Sequence, residues 1–172
     1  VRYSDIKKAT RASPYRIDME WRNLERTISD SDPPVDMDPE YQRGYVWTTN
    51  QAAKYVEHVL SEGIGGRDVY LNCPGWPDNK PGIKCEVVDG KQRITAVRRF
   101  MKGDLRIFGG KLITDFRGPM RGTVARFFWH INDLETPQEV MRWYLEMNGG
   151  TAHTDQELNR VKESLANIKS KK

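Results

Sequence analysis

Cysteine is scarce in this chain. There are two in 172 residues, Cys73 and Cys85. That is too few for a disulfide framework, and neither lies in a Cys-x-x-Cys pair or beside a set of metal ligands. The plain expectation is a cytosolic protein with reduced thiols, Cys85 pointing into the core. Histidine is nearly as rare, with three residues. His58 falls inside a helical pattern and His130 inside a strand pattern, so neither is given a role; His153 is a candidate acid/base that could titrate near neutrality. No apolar run approaches the ~20 residues of a membrane span. The first residues, Val1-Arg2-Tyr3-Ser4, lack the apolar region of a signal peptide. No membrane partner is expected. Repeats and low-complexity tracts are also missing, which excludes solenoids and long linkers.

What remains is a polar but globular composition. Hydrophobic residues make up 37% and charged residues 30%, with five Trp, seven Tyr and five Phe, too many aromatics for a disordered chain. The length suits one domain over residues 1–172, with its core at about 18–160 and a basic C-terminal helix or tail at 161–172. The net charge of +4 conceals an asymmetry. Between Lys91 and Arg126 there are ten basic residues against Asp104 and Asp115, whereas residues 129–157 hold six acids and one base, Arg142. Clustered basic charge favours a polyanion, and nucleic acid is the commonest. Arg98, Arg99, Lys102, Arg117, Arg121 and Arg126 are the candidate DNA contacts, with a solvated basic face as the alternative. If four phosphates are neutralised, log K should fall against log salt with a slope of about −3 to −4.

Periodicity predicts alternating helices and short strands. Asp18 is read as the cap of a helix carrying Trp21, Leu24 and Ile28. Residues 29–39 read as a loop. Thr48-x-x-Gln51 is a capping box before Ala52, Val56, Val59 and Leu60, with Gly63 as the stop. Residues 68–72, 86–88 and 127–131 read as strands. Ile94, Val97 and Met101 mark the buried face of a helix ended by Gly103. Thr136-Pro137-x-Glu139 opens another helix through Val140, Tyr144 and Met147. Thr154-x-x-Glu157 caps a last one. The fold class is α+β (mixed α/β), a small mixed sheet surrounded by helices.

The stretch with the most chemistry is Glu86-Val87-Val88-Asp89-Gly90-Lys91-Gln92-Arg93. A buried strand leads into a turn where Gly90 allows close backbone approach. Lys91 and Arg93 then sit at a helix N-terminus, whose free N–H groups and dipole favour an anion. Three other segments are candidates. In Pro39-Glu40-Tyr41-Gln42-Arg43, Arg43 could bind a phosphate and Tyr41 could stack on a base, or Tyr41 and Trp47 could be core. Asn148-Gly149-Gly150 could form a second anion nest or a helix C-cap. Residues 117–122 read as a mobile basic loop.

Taken in order, Pro-x-Tyr-Gln-Arg, Trp47, a helix, a strand, Val-Val-Asp-Gly-Lys-Gln-Arg and Asn-Gly-Gly resemble one family over roughly residues 33–160. It is the ParB/sulfiredoxin-like domain marked by an Asp-Gly-Gln-Gln-Arg motif, found at the N-terminus of GmrSD-type modification-dependent restriction proteins. Lys91 stands where the family has its first Gln. The resemblance implies that Gly90, Lys91, Gln92 and Arg93 contact ATP or another NTP. Gln42, Arg43, Asn148, Gly149 and Gly150 would share that pocket. Asp89, Lys91 and Arg93 are the candidate catalytic residues, with Asp89 as Mg²⁺ ligand or base. Sulfiredoxin's reactive cysteine has no counterpart in the turn, which excludes that chemistry. Larger members carry an HNH nuclease, and none is expected within these 172 residues. The expected activity is NTP-dependent phosphoryl transfer to DNA, for instance a kinase for a hydroxymethylated pyrimidine in phage DNA. The alternatives are an NTP-hydrolysing sensor or clamp for modified DNA in a restriction system, and a catalytically silent DNA-binding domain. Either active role places the protein in the cytoplasm of a bacterial host cell.

Overall fold

The structure, a computed structural model, describes residues 15–76 and 82–148. Its centre is a four-stranded mixed sheet in the order β1-β4-β2-β3. The strands are β1 (Tyr15–Glu20), β2 (Asp68–Asn72), β3 (Glu86–Asp89) and β4 (Arg126–Asn132). β4 runs antiparallel to β1 and parallel to β2, and β2 runs antiparallel to β3. The helices are α1 (Leu24–Ser29), α2 (Thr49–Leu60), α3 (Lys91–Met101) and α4 (Pro137–Asn148). The α+β class expected from the periodicity is therefore the one found. No described helix is long and apolar enough to cross a membrane.

Strand alternation sorts the side chains onto two faces. Val69, Leu71, Val87, Phe127, Trp129 and Ile131 point into the main core, where Trp21, Leu24, Val56, Ile94, Val97 and Phe100 meet them from α1, α2, α3 and the turn before α1. The opposite face is covered in part by α4, whose Val140, Met141, Trp143 and Tyr144 pack on Val88 and Leu134. Asn72 sets where α4 begins: it accepts from Leu134 N at 2.8 Å and donates to Leu134 O at 3.1 Å. The capping boxes fall where the sequence places them. Gln51 N donates to Thr48 Oγ1 (3.2 Å) and Thr48 N to Gln51 Oε1 (2.8 Å). Thr136 and Glu139 repeat the exchange at α4.

Two expectations are corrected. Asp18 does not cap a helix. It lies in β1 opposite Phe128, and its carboxylate meets Arg126 2.5 Å away. The helical run of Trp21, Leu24 and Ile28 is real, but its first turn is a 3-10 turn, Trp21–Asn23, following Glu20. Six ladder partners on β4 outweigh the local capping preference of one aspartate. The thiols are not free either, because Cys73 and Cys85 form a disulfide. Asn72 pairs with Glu86 across β2 and β3. The next residue on one strand and the preceding one on the other therefore face each other, and their Cα atoms are 4.3 Å apart. Cys85 does pack against the core, as expected.

Candidate functional site

The Asp89–Arg93 turn is built from β3 into α3, with Gly90 as the N-cap residue at φ +109°. A Cβ at this position would lie 2.9 Å from Val69 Cγ2 and 3.3 Å from Val69 Cα, so the turn requires glycine twice over, for space and for conformation. Ile94 N closes the first helical bond to Gly90 O at 2.9 Å. The three preceding amides have no partner within the helix, and no acid stands in its first turn.

Residues 38–47 fold over this turn, and the motif side chains hold them there. Gln92 Oε1 accepts from Val46 N (2.9 Å) and Trp47 N (3.2 Å), and its Nε2 donates to Gly44 O (3.0 Å). Lys91 is buried. Its ammonium donates to Asp38 and, at 3.1 Å, to Arg43 O. Gln42 reaches back in the other direction, its Nε2 donating to Val88 O at 2.7 Å and to Val87 O. The β3 edge is further covered by Asp36, which bridges to Glu86. The two motifs are thus joined side chain to backbone in both directions.

Between them lies a small cavity of about 50 Å³ lined by Gln42, Arg43, Asp89, Gly90, Gln92 and Tyr144. Small-molecule sites are usually about 300–1,000 Å³, so this cavity is too small to enclose a whole nucleotide. Arg43 is exposed at its mouth. Tyr144 supplies the wall from α4, its ring 5.7 Å from that of Tyr41. Burial pushes the Tyr41 phenol well above its usual range, Glu86 beside it adding to the effect. Burial also pushes the Glu86 carboxyl up, Asp36 reinforcing this against the hydrogen bond from Asn72.

The charged members of the motif are committed to internal contacts. Arg93 Nη2 lies 2.9 Å from Asp89 Oδ2, and Nη1 donates to Asp68 O. Lys91 and Arg93, expected to supply positive charge to a phosphate, are paired here with Asp38 and Asp89. Lys91 anchors the 38–43 segment and Arg93 joins the end of β3 to the start of β2. Asp89 carries its charge against a guanidinium, and no group of three metal-ligating side chains occurs among the described residues. The donor set does not fit a resident Mg²⁺; such an ion would have to arrive with the phosphates it binds.

The other expected site residues are scattered. Asn148 ends α4, while Gly149, Gly150 and His153 lie outside the described residues. Arg98 is engaged with Glu25 through both Nε (2.8 Å) and Nη2 (2.7 Å), and Lys102 adds a contact at 3.2 Å. Arg99 donates to Thr49 Oγ1. Arg126 is on the far face of the sheet with Asp18. The sheet therefore separates Arg126 from Arg98, Arg99 and Lys102 on and after α3.

The sequence reading carried no signal for Asp38 as the partner of Lys91. It also passed over a cluster on the outer sheet face beside the turn. His130 Nε2 is 2.6 Å from Asp68 Oδ1, and the His130 ring stacks on Tyr70 with centroids 4.8 Å apart. The alternation of β2 and β4 would have placed Asp68, Tyr70 and His130 on one face had the parallel pairing been foreseen.

Fold and site together define a small α+β domain in which two distant motifs close over one helix N-terminus. A family model described as the GmrSD restriction endonuclease N-terminal domain matches residues 24–171. The chain belongs to that family. Neither the curated proteins nor the solved structures searched contain a match to it.

Proposed function

We propose that the domain is a nucleotide-responsive sensor in a modification-dependent DNA restriction system. The observation that carries the reading is the Gln92 and Lys91 clamp on residues 43–47. A phosphate drawn to the amides of the α3 N-terminus would meet Arg43 and the same backbone that the clamp holds, so occupancy of the turn changes the loop above it. Family membership supports DNA as the partner and restriction as the context. Phosphoryl transfer to a DNA base has less support from the geometry. It needs cationic groups free to follow the moving charge, whereas Lys91 and Arg93 are held by Asp38 and Asp89. Asp89 is the residue we assign to orienting a hydrolytic water or a nucleotide-borne Mg²⁺.

The test follows γ-labelled ATP, and CTP in parallel, with Mg²⁺ and duplex DNA that is plain or hydroxymethylated. The sensor reading expects free labelled phosphate, released faster with hydroxymethylated DNA, and none on the DNA. Label transferred to DNA would reinstate the kinase. Absence of both nucleotide binding and hydrolysis would leave a DNA-binding domain without nucleotide chemistry.

A further inference from the structure

A second cavity, of about 570 Å³, shares no residue with the Asp89–Arg93 turn; Leu60, Phe100, Phe108 and Phe116 form its apolar walls, with Arg117 and Arg121 also lining it. Its size lies within the range of small-molecule sites. The three rings form a chain: Phe100 to Phe116 at 6.3 Å and Phe116 to Phe108 at 6.4 Å between centroids, both edge to face. Phe100 is buried, but Phe108 and Phe116 remain 41% and 40% exposed.

Phe108 is held there against its own preference. Its φ of +44° is in the left-handed region, which bulky side chains avoid. The tight turn between Ile107 and Lys111 and a 2.6 Å bond from its N–H to Glu57 Oε1 keep it in place. Gly109 and Gly110 follow with positive φ of their own, so glycine was available to this turn and an aromatic ring stands there instead. Strain retained to expose a ring is characteristic of binding sites.

The described lining of the cavity carries two guanidinium groups, Arg117 and Arg121, and one carboxylate, Glu62. Arg117 is exposed and makes no ion pair among the described residues. Arg121 approaches Glu62 at 3.6 Å, with both side chains largely in solvent. Such a pair is weak and easily exchanged for a phosphate.

We infer that this cavity receives one nucleobase turned out of a DNA strand, stacked against Phe108 and Phe116, with Arg117 and Arg121 on the adjoining phosphates. Exposed rings bind the π-face of any base, and guanidinium groups beside them suit a polyanionic backbone better than an apolar protein surface. The volume leaves room beyond a pyrimidine ring for a substituent on it. The inference rests on the reading of this domain as a DNA sensor, but it concerns a different surface from the nucleotide turn.

Two probes test it: a duplex with one hydroxymethylated cytosine next to 2-aminopurine, and a single-stranded oligonucleotide whose bases need no extrusion. The wild type should bind both, with a rise in 2-aminopurine emission on the duplex. Phe108→Gly and Phe116→Leu should each weaken binding of both probes by roughly 5- to 100-fold. They should leave the weak, salt-sensitive binding of plain duplex unchanged. Glycine suits φ +44°, so Phe108→Gly is expected to fold, and its melting temperature checks this. Arg117→Gln with Arg121→Gln should lower the salt slope on every probe by about 2. Unchanged probe binding by both ring variants overturns the inference, as does failure of the wild type to bind either probe. Self-association of the wild type that Phe108→Gly abolishes would also overturn it, the rings then covering a second copy. Asp89→Asn should keep the emission response whether or not nucleotide is hydrolysed, so this inference and the nucleotide reading fail separately.

Discussion

Arg93 and Asp89 face each other across one helical turn, Nη2 to Oδ2 at 2.9 Å, while the other end of the same guanidinium donates to Asp68 O. One side chain therefore ties the end of β3 to the start of β2. Arg93→Ala strands a half-buried carboxylate and a backbone carbonyl, at a cost of about 1–3 kcal/mol. In a domain of this size that lowers the melting temperature by about 3–10 °C. An unchanged melting curve would show that the pair is not structural and that the guanidinium is available to a ligand. Asp89→Asn keeps the shape and a neutral hydrogen bond, so it should melt closer to the wild type while nucleotide hydrolysis falls by about a hundredfold or more.

Gly90→Ala is expected to be among the most damaging single-atom additions in the chain. The new Cβ would stand 2.9 Å from Val69 Cγ2, at φ +109°, combining a clash with a forbidden conformation. A loss of about 2–4 kcal/mol in urea unfolding is expected. A change under about 0.5 kcal/mol would mean that the turn relaxes freely.

Gln92→Ala removes three hydrogen bonds to residues 44–47. The loop is largely exposed, so the stability loss should stay near 1–2 kcal/mol. The sharper readout is hydrogen exchange. Amides of Val46 and Trp47 should lose protection while those inside α3 keep theirs. Equal loss across both segments would assign Gln92 to the core and not to the loop.

Two glutamates give opposite pH dependences. The Arg98 side chain hydrogen-bonded to Glu25 holds its carboxyl at about 2, below the ordinary 4.5. The folded state thus binds fewer protons there than the unfolded chain. Its stabilisation is complete above pH 4.5 and disappears as pH falls toward about 2. The side chain is 44% exposed, so the gain is screened to about 1 kcal/mol or less. The melting-temperature gap between wild type and Glu25→Gln should be open above pH 4.5 and closed near pH 2. A constant gap contradicts this. Glu86, raised by burial, acts in reverse: its contribution is lost as pH rises above 4.5, and Glu86→Gln should remove that decline.

The Cys73–Cys85 bond joins positions 12 apart in sequence, and a loop of that order is worth about 3 kcal/mol by chain entropy. Thiol counting in denaturant without reductant should find neither cysteine reactive, and Cys73→Ser should lower stability by up to that amount. Two reactive thiols would restore the reduced pair expected from composition.

Much of this fold is local and so could be read along the chain. Thr48 with Gln51 and Thr136 with Glu139 start their helices through contacts three residues apart, and Gly103 at φ +81° follows α3. Alternation located β2, β3 and β4 to within a residue or two. Asp18 failed because a strand is defined by its partner, and Arg126–Asn132 lies more than a hundred residues away. The cysteine pair failed for the same reason, since only the β2–β3 register brings Cys73 opposite Cys85.

The candidate site divides along the same line. By itself the sequence determined that a glycine-capped helix follows a buried strand, because one φ angle and three amides need no distant partner. Only the tertiary structure decided what Lys91, Gln92 and Arg93 do there. Their partners Asp38, Val46, Trp47 and Asp68 are 25 to 53 residues away, and no local pattern tells whether a cation meets an internal carboxylate or a ligand phosphate. The same holds for Phe108, Phe116 and Arg117, which become one cavity only when Leu60 and Phe100 on two helices close its walls.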